Sequence, residues 1–128
     1  MQATIWHNPR CSTSRKVLAA LQERGVEAQV VAYLKGRMTR EDWAALVDAV
    51  GGDPTRLLRA REPLYQDLKL DAKIAAGKVG REQVIDLLHK WPQLLERPVV
   101  RLGATTAIVR PAEKLRELLE GADLSSAP

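Results

Sequence analysis

The amino-acid sequence predicts an α/β fold, a mixed sheet covered by helices with helical material inserted in its middle. Three observations predict it. The chain opens with a β-branched run, a segment of helical period and a second β-branched run. Its middle stretch carries only helical periodicity. Two short strands around a glycine turn, followed by a helix, close it. A strand–helix–strand start is a βαβ unit, and such units are nearly always right-handed.

Each element has its own warrant. Residues 3–6 (Ala-Thr-Ile-Trp) read as the end of a buried strand, because Thr, Ile and Trp suit a pleated surface. Asn8-Pro9 is a turn dipeptide, and the residue before a proline is pushed out of the helical region. Ser12 or Thr13 then caps a helix with Val17, Leu18 and Leu21 on its apolar face, ending near Gly25. Residues 26–34 form the second strand, which Lys35-Gly36-Arg37 breaks. Thr39 with Asp42 three residues later marks a capping box. Trp43, Leu46, Val47 and Val50 line that helix, and Gly51-Gly52 ends it. Asp53 or Thr55 opens a short helix through Arg59, residues 62–65 interrupt it, and another short segment reaches Leu70. Residues 73–78 are weakly helical and close at Gly77. Gly80 opens a stronger helix with Val84, Leu87 and Leu88 inward, terminated by Trp91-Pro92. Pro98 precedes a strand over 99–102, Gly103-Ala104-Thr105 turns the chain, and 106–109 returns as a hairpin partner. Pro111 suits the first turn of a last helix, with Leu115, Leu118 and Leu119 on one face and Gly121 at its end. The expected organisation is one domain over 1–121, a helical insertion over about 39–91, and a frayed tail over 122–128.

Composition narrows the class. At 128 residues, 45% hydrophobic and 28% charged, the chain is long enough for one well-cored globular domain. No apolar run approaches the ~18 residues that span a bilayer, and the start of the chain shows no signal-peptide pattern. A single cysteine excludes an internal disulfide and fits a reducing cytoplasm. The net charge of +4 comes from Lys and Arg interspersed with Asp and Glu. With no dense basic run and no basic stripe interleaved with aromatics, nucleic acid and membrane are not expected partners. An enzyme with a small-anion site fits better. No metal site is expected.

The chemistry centres on residues 7–15, His-Asn-Pro-Arg-Cys-Ser-Thr-Ser-Arg. Cys11 stands where the first strand hands over to the first helix. Unpaired N–H groups and the helix dipole there favour thiolate over thiol, and Arg10, Arg15 and His7 add positive charge. Those residues point to a nucleophile. Ser12 and Thr13 are caps whose hydroxyls can also bond the thiolate, and Asn8 is a turn former.

The β-α-β start, the cysteine at the first strand–helix junction, the proline opening the third strand and the closing β-β-α resemble a thioredoxin/glutaredoxin-type fold. His7-Asn8-Pro9-x-Cys11-Ser12-x-Ser14-Arg15 resembles the signature of the glutaredoxin-dependent arsenate reductase family. Leu57-Leu58-Arg59, Glu96-Arg97-Pro98-Val99-Val100 and Val109-Arg110-Pro111 match it in order and approximate spacing. The resemblance runs over about 3–119, is poor over 70–81, and departs at Ser12, where some members have glycine.

That resemblance implies a reaction. The Cys11 thiolate attacks arsenate and displaces water or hydroxide, glutathione forms a mixed intermediate, glutaredoxin resolves it, and arsenite leaves. Arg59, Arg97 and Arg110 fall on the family's three oxyanion-binding arginines, and guanidinium forks suit a tetrahedral anion. His7 falls on a histidine thought to lower the cysteine's pKa. Pro98 falls on the proline facing the cysteine, so the Arg97-Pro98 bond is expected to be cis. Glutathione enters as co-substrate and no bound cofactor is expected. Two alternatives keep the fold: an RNA-polymerase-binding redox regulator, and a glutathione-linked reductase with another substrate. Such regulators commonly carry Cys-x-x-Cys here, and Ser14 counts against that reading.

Overall fold

A computed structural model describes residues 2–126. Four strands, β1 (Gln2–Trp6), β2 (Glu27–Val31), β3 (Val99–Leu102) and β4 (Thr105–Ile108), alternate with six helices, α1 (Ser12–Glu23), α2 (Arg40–Val50), α3 (Pro63–Asp67), α4 (Leu70–Ala75), α5 (Arg81–Lys90) and α6 (Lys114–Ser126). Single 3₁₀ turns lie at Tyr33–Lys35, Pro54–Leu57 and Pro92–Leu94. These elements fall into two compact units, Met1–Tyr33 with Arg97–Pro128, and Leu34–Glu96.

The first unit holds the sheet, in the order β2-β1-β3-β4. β1 runs parallel to β2, from Gln2↔Glu27 to Trp6↔Val31, and antiparallel to β3, from Ala3↔Leu102 to Trp6↔Val99. The sheet is therefore mixed. Alternation along the strands turns Ala3, Ile5, Val100 and Leu102 to one face, where Val17 and Leu21 of α1 and Leu115 and Leu118 of α6 complete the core. Fully burying a side chain such as Ile5 favours folding by about 1.5–3 kcal/mol. Leu102 pairs with Thr105 across a two-residue turn. Gly103 takes its first position at φ 63°, a conformation that costs glycine nothing.

Several boundaries move from the sequence reading. β2 stops at Val31, and Leu34 sits in the 3₁₀ turn beyond it. β4 starts at Thr105, one residue earlier than expected. Arg97-Pro98 is cis, as expected, and Arg110-Pro111 is cis as well. α6 starts at Lys114 instead of Pro111, because the turn before it closes with i→i+3 bonds from Lys114 N–H to Pro111 O and Leu115 N–H to Ala112 O (3.0 and 3.1 Å). It runs through Gly121 to Ser126, where a frayed tail was expected. A helical glycine costs only about 1 kcal/mol against alanine, which does not stop a helix whose neighbours are good formers. Residues 127 and 128 lie outside the described residues.

The second unit is helical. Thr39 Oγ1 accepts from Asp42 N–H (3.1 Å) and Asp42 Oδ2 from Thr39 N–H (2.9 Å), so the expected capping box starts α2. Trp43, Leu46 and Val47 of α2 are buried, as are Val84, Ile85 and Leu88 of α5. The inward face of α5 is thus rotated from the expected one, taking Ile85 and leaving Leu87 half-buried. Arg40 bridges Glu82 and Asp86 (2.7 and 2.8 Å), and Arg81 meets Asp48 (2.7 Å). These exposed pairs set the register of α2 on α5 more than they stabilise it. Pro63 begins α3 where an interruption was expected, since a proline is well placed at a first helical position.

Lys69, between α3 and α4, is the one non-glycine at positive φ (54°) among the described residues. The left-handed region costs a side chain about 1–2 kcal/mol, while glycine's extra unfolded-state freedom costs about 0.5–1 kcal/mol. Lys69→Gly is therefore expected to stabilise the chain by about 0.5 kcal/mol, a net from those two costs. Chemical denaturation measures it, and a loss of stability would contradict the assignment.

Candidate active site

The register of the first unit assembles the site. β1 and β3 end their pairing at Trp6↔Val99, so the turn after β1 lies beside the start of β3. Val109 N–H donates to Pro98 O (2.9 Å), which extends the β3–β4 pairing one step past Val99↔Ile108. Arg97 and Arg110 flank that step. Segments nearly a hundred residues apart thus meet at one end of the sheet.

The turn itself is built by Asn8. Its carbonyl accepts from Cys11 N–H and its Oδ1 from Arg10 N–H, both at 3.0 Å, an Asx-type turn. Cys11 then has extended backbone (φ −93°, ψ 121°) and its carbonyl accepts from Arg15 N–H (3.0 Å). Cys11 is itself the N-cap. Ser12 and Thr13 are the first helical residues, not the cap the sequence suggested. Sulfur replaces the usual capping oxygen, and no capping hydrogen bond of ordinary geometry forms. The Ser14 backbone N–H nevertheless acts on Sγ to favour its charged form.

Cys11 is buried, and three influences compete there. Burial, the largest, pushes the thiol up; the Ser14 N–H and then the Arg97 and Arg110 guanidiniums pull it down, and the balance lies below the usual thiol value. Arg110 Nη1 is 3.7 Å from Sγ and 3.4 Å from Arg97 O. Arg97 Nε is buried without a hydrogen-bond partner. A guanidinium donor in that state favours an oxygen ligand strongly, because leaving it unsatisfied costs desolvation with no return.

His7 is tied to Ser14. Its Nδ1 lies 2.6 Å from Ser14 Oγ, and burial, then the charge of Arg15, lowers its pKa. That shift disfavours the imidazolium, and the cations that act on the thiol are Arg97 and Arg110. Arg15 donates to Pro9 O (2.8 Å) and holds the turn closed, while Arg10 is exposed. Ser14 Oγ also accepts from Asn8 N–H (3.1 Å) and is fully buried. In the sequence Ser14 stands out mainly as the absence of a second cysteine; its place three residues past the N-cap is the available signal of a structural hub.

Ser14→Ala leaves Asn8 N–H and His7 Nδ1 without their partner. It is expected to destabilise the chain by about 1–3 kcal/mol in a urea titration. The thiol's titration should move little, since the Ser14 backbone N–H survives. A large upward move of the thiol with no loss of stability would contradict this division of roles.

Arg59 belongs to the second unit. Its N–H donates to Leu94 O (2.7 Å) beside the Leu58↔Leu95 bridge, and its Nη1 lies 3.7 Å from Glu96 Oε1. Its side chain is half-buried, whereas Arg56 and Arg61 are exposed. Among the described residues no cluster of His, Cys, Asp or Glu could hold a metal ion, and no helix is long and apolar enough to cross a membrane.

A model of the ArsC family matches residues 6–118. An uncharacterised Escherichia coli protein, YfgD, is 37% identical over 119 residues, 92% of this chain and 97% of its own. An Escherichia coli arsenate reductase is 34% identical over 119 residues, 93% of this chain and 82% of its own. Among solved structures, an arsenate reductase from Vibrio cholerae superposes with a TM-score of 0.80 at 30% identity, covering 91% of this chain and 97% of that one.

Proposed function

The chain belongs to the ArsC family, and from that premise we propose that it is an oxidoreductase that reduces arsenate to arsenite with electrons from glutathione and glutaredoxin. The observation that carries the reading is Arg97, whose buried Nε lacks a partner while its guanidinium stands beside the Cys11 thiol.

The Cys11 thiolate forms a bond to arsenic and expels one arsenate oxygen, which leaves as water after protonation. Arg97 and Arg110 hold the remaining oxygens and offset the charge that gathers there. Glutathione adds to the arsenic with loss of a second water. The glutaredoxin thiol then attacks the glutathione sulfur, forming a disulfide and leaving its electron pair on arsenic. Hydrolysis releases arsenite and returns Cys11. One two-electron reduction of arsenic matches one disulfide formed. The lone thiol fits this route, since Cys11 has no internal partner to resolve it. Arg59 is the third guanidinium of the proposal, and a reducing cytoplasm is its setting.

The test is arsenite formation by the purified chain with glutathione, with and without glutaredoxin. Turnover that depends on both is the expected result. Turnover of another oxyanion or oxidised compound with glutathione, and none of arsenate, would transfer the same site to a different substrate.

A further inference from the structure

Residues 70–81 depart from the usual pattern of a helix end. α4 ends in a Schellman motif: Lys78 N–H donates to Lys73 O (2.9 Å) and Gly77 N–H to Ile74 O (3.0 Å), with Gly77 at φ 71°. In that motif the residues in the places of Lys73 and Lys78 commonly make an apolar contact. Here two exposed lysines stand at those places instead of an apolar pair. Departures from a local rule are expected at functional sites.

The two lysines line a cavity of about 290 Å³ in the second unit, together with Leu70, Val79, Leu87, Lys90 and Trp91. Lys90 Nζ stands 4.6 Å from the Trp91 ring centre. None of Lys73, Lys78 and Lys90 has an ion-pair partner among the described residues, and the lining carboxylate, Asp86, is committed to Arg40. The cavity therefore combines an apolar floor with three uncompensated positive charges.

We propose that this groove is a docking site for an acidic peptide segment of a partner protein, with one large apolar side chain seated between Leu70 and Trp91 and carboxylates facing Lys73, Lys78 and Lys90. Charge complementarity selects that occupant, and the apolar floor favours it over a bare anion, which would leave Leu70, Val79 and Trp91 without a contact.

The experiment is fluorescence-anisotropy titration of the full chain with a labelled ten-residue peptide of alternating Glu and Asp around a central Leu-Trp pair. Controls are its Gln/Asn counterpart and a ten-nucleotide oligothymidine. Saturable binding of the acidic peptide that weakens with salt, fails for the neutral peptide, and drops tenfold or more in Lys73→Glu/Lys78→Glu/Lys90→Glu is the expected result. Lys78→Glu alone should keep or raise the thermal midpoint, because it pairs with Lys73, so lost binding there is not lost folding. No saturation by 1 mM peptide, binding indifferent to the charge reversals, or tighter binding of the oligonucleotide through the same lysines would each overturn the proposal.

Discussion

Cys11→Ser is expected to abolish arsenite formation, a fall of at least about 10⁴-fold, because the step needs a sulfur nucleophile that is ionised near neutral pH. A serine hydroxyl in the same place is not ionised, and Ser14 N–H, Arg97 and Arg110 together cannot bring it into range. The substitution has a second consequence that separates chemistry from folding. Cys11 occupies the N-cap of α1 without an ordinary capping bond, and serine is a preferred residue there, worth about 0.5–2 kcal/mol against a non-capping residue. The variant should thus be inactive and at least as stable as the parent. Measured together, arsenite release and thermal midpoint decide the matter. An inactive variant that is also unfolded would say nothing of the nucleophile, and an active one would remove Cys11 from the mechanism.

Arg97→Ala is the second large effect. It removes a guanidinium that lowers the thiol's pKa and a buried donor with no protein partner. Losing one preorganised donor at a developing oxyanion costs about 10²–10³ in kcat. The thiolate fraction at neutral pH also falls, so the pH profile of kcat/KM should move to higher pH in the same variant. The sign follows from removing a cation, since without it the neutral thiol is favoured over a wider range. Arg97→Lys keeps the charge but not the fork, and should restore the pH profile better than it restores kcat. If Arg97→Ala altered KM alone, with profile and kcat unchanged, the guanidinium would be a binding group without influence on the thiol.

Much of this was legible in the sequence because local signals and tertiary structure agree. Val17 and Leu21 recur at helical spacing, Thr39 and Asp42 form the box their spacing announces, and Gly103 turns the hairpin as its conformational freedom suggests. Pro98 was expected to be cis and is. Cap and terminus positions were less legible. Ser12 is a better capping residue than Cys11, yet the Asn8 turn places Cys11 at the cap, and Ser14 and Arg15 hold that turn through contacts no propensity encodes. The extension of α6 past Gly121 has the same origin, a weak local preference outweighed by its neighbours. At the site, the thiol's position was readable from its strand–helix junction. The lowered pKa of His7 was not, because it depends on burial and on Arg15 together. The pairing of Arg97 with Arg110 rests on β-register, which joins residues that only the family resemblance had grouped.

The thiolate absorbance of Cys11 as a function of pH tests the central claim most directly, since this is the chain's only cysteine and nothing else contributes a thiolate signal. The account predicts a midpoint below that of an unperturbed thiol, moved upward by Arg97→Ala and by Arg110→Ala and left in place by His7→Gln. An ordinary midpoint that none of the arginine substitutions moves would contradict it.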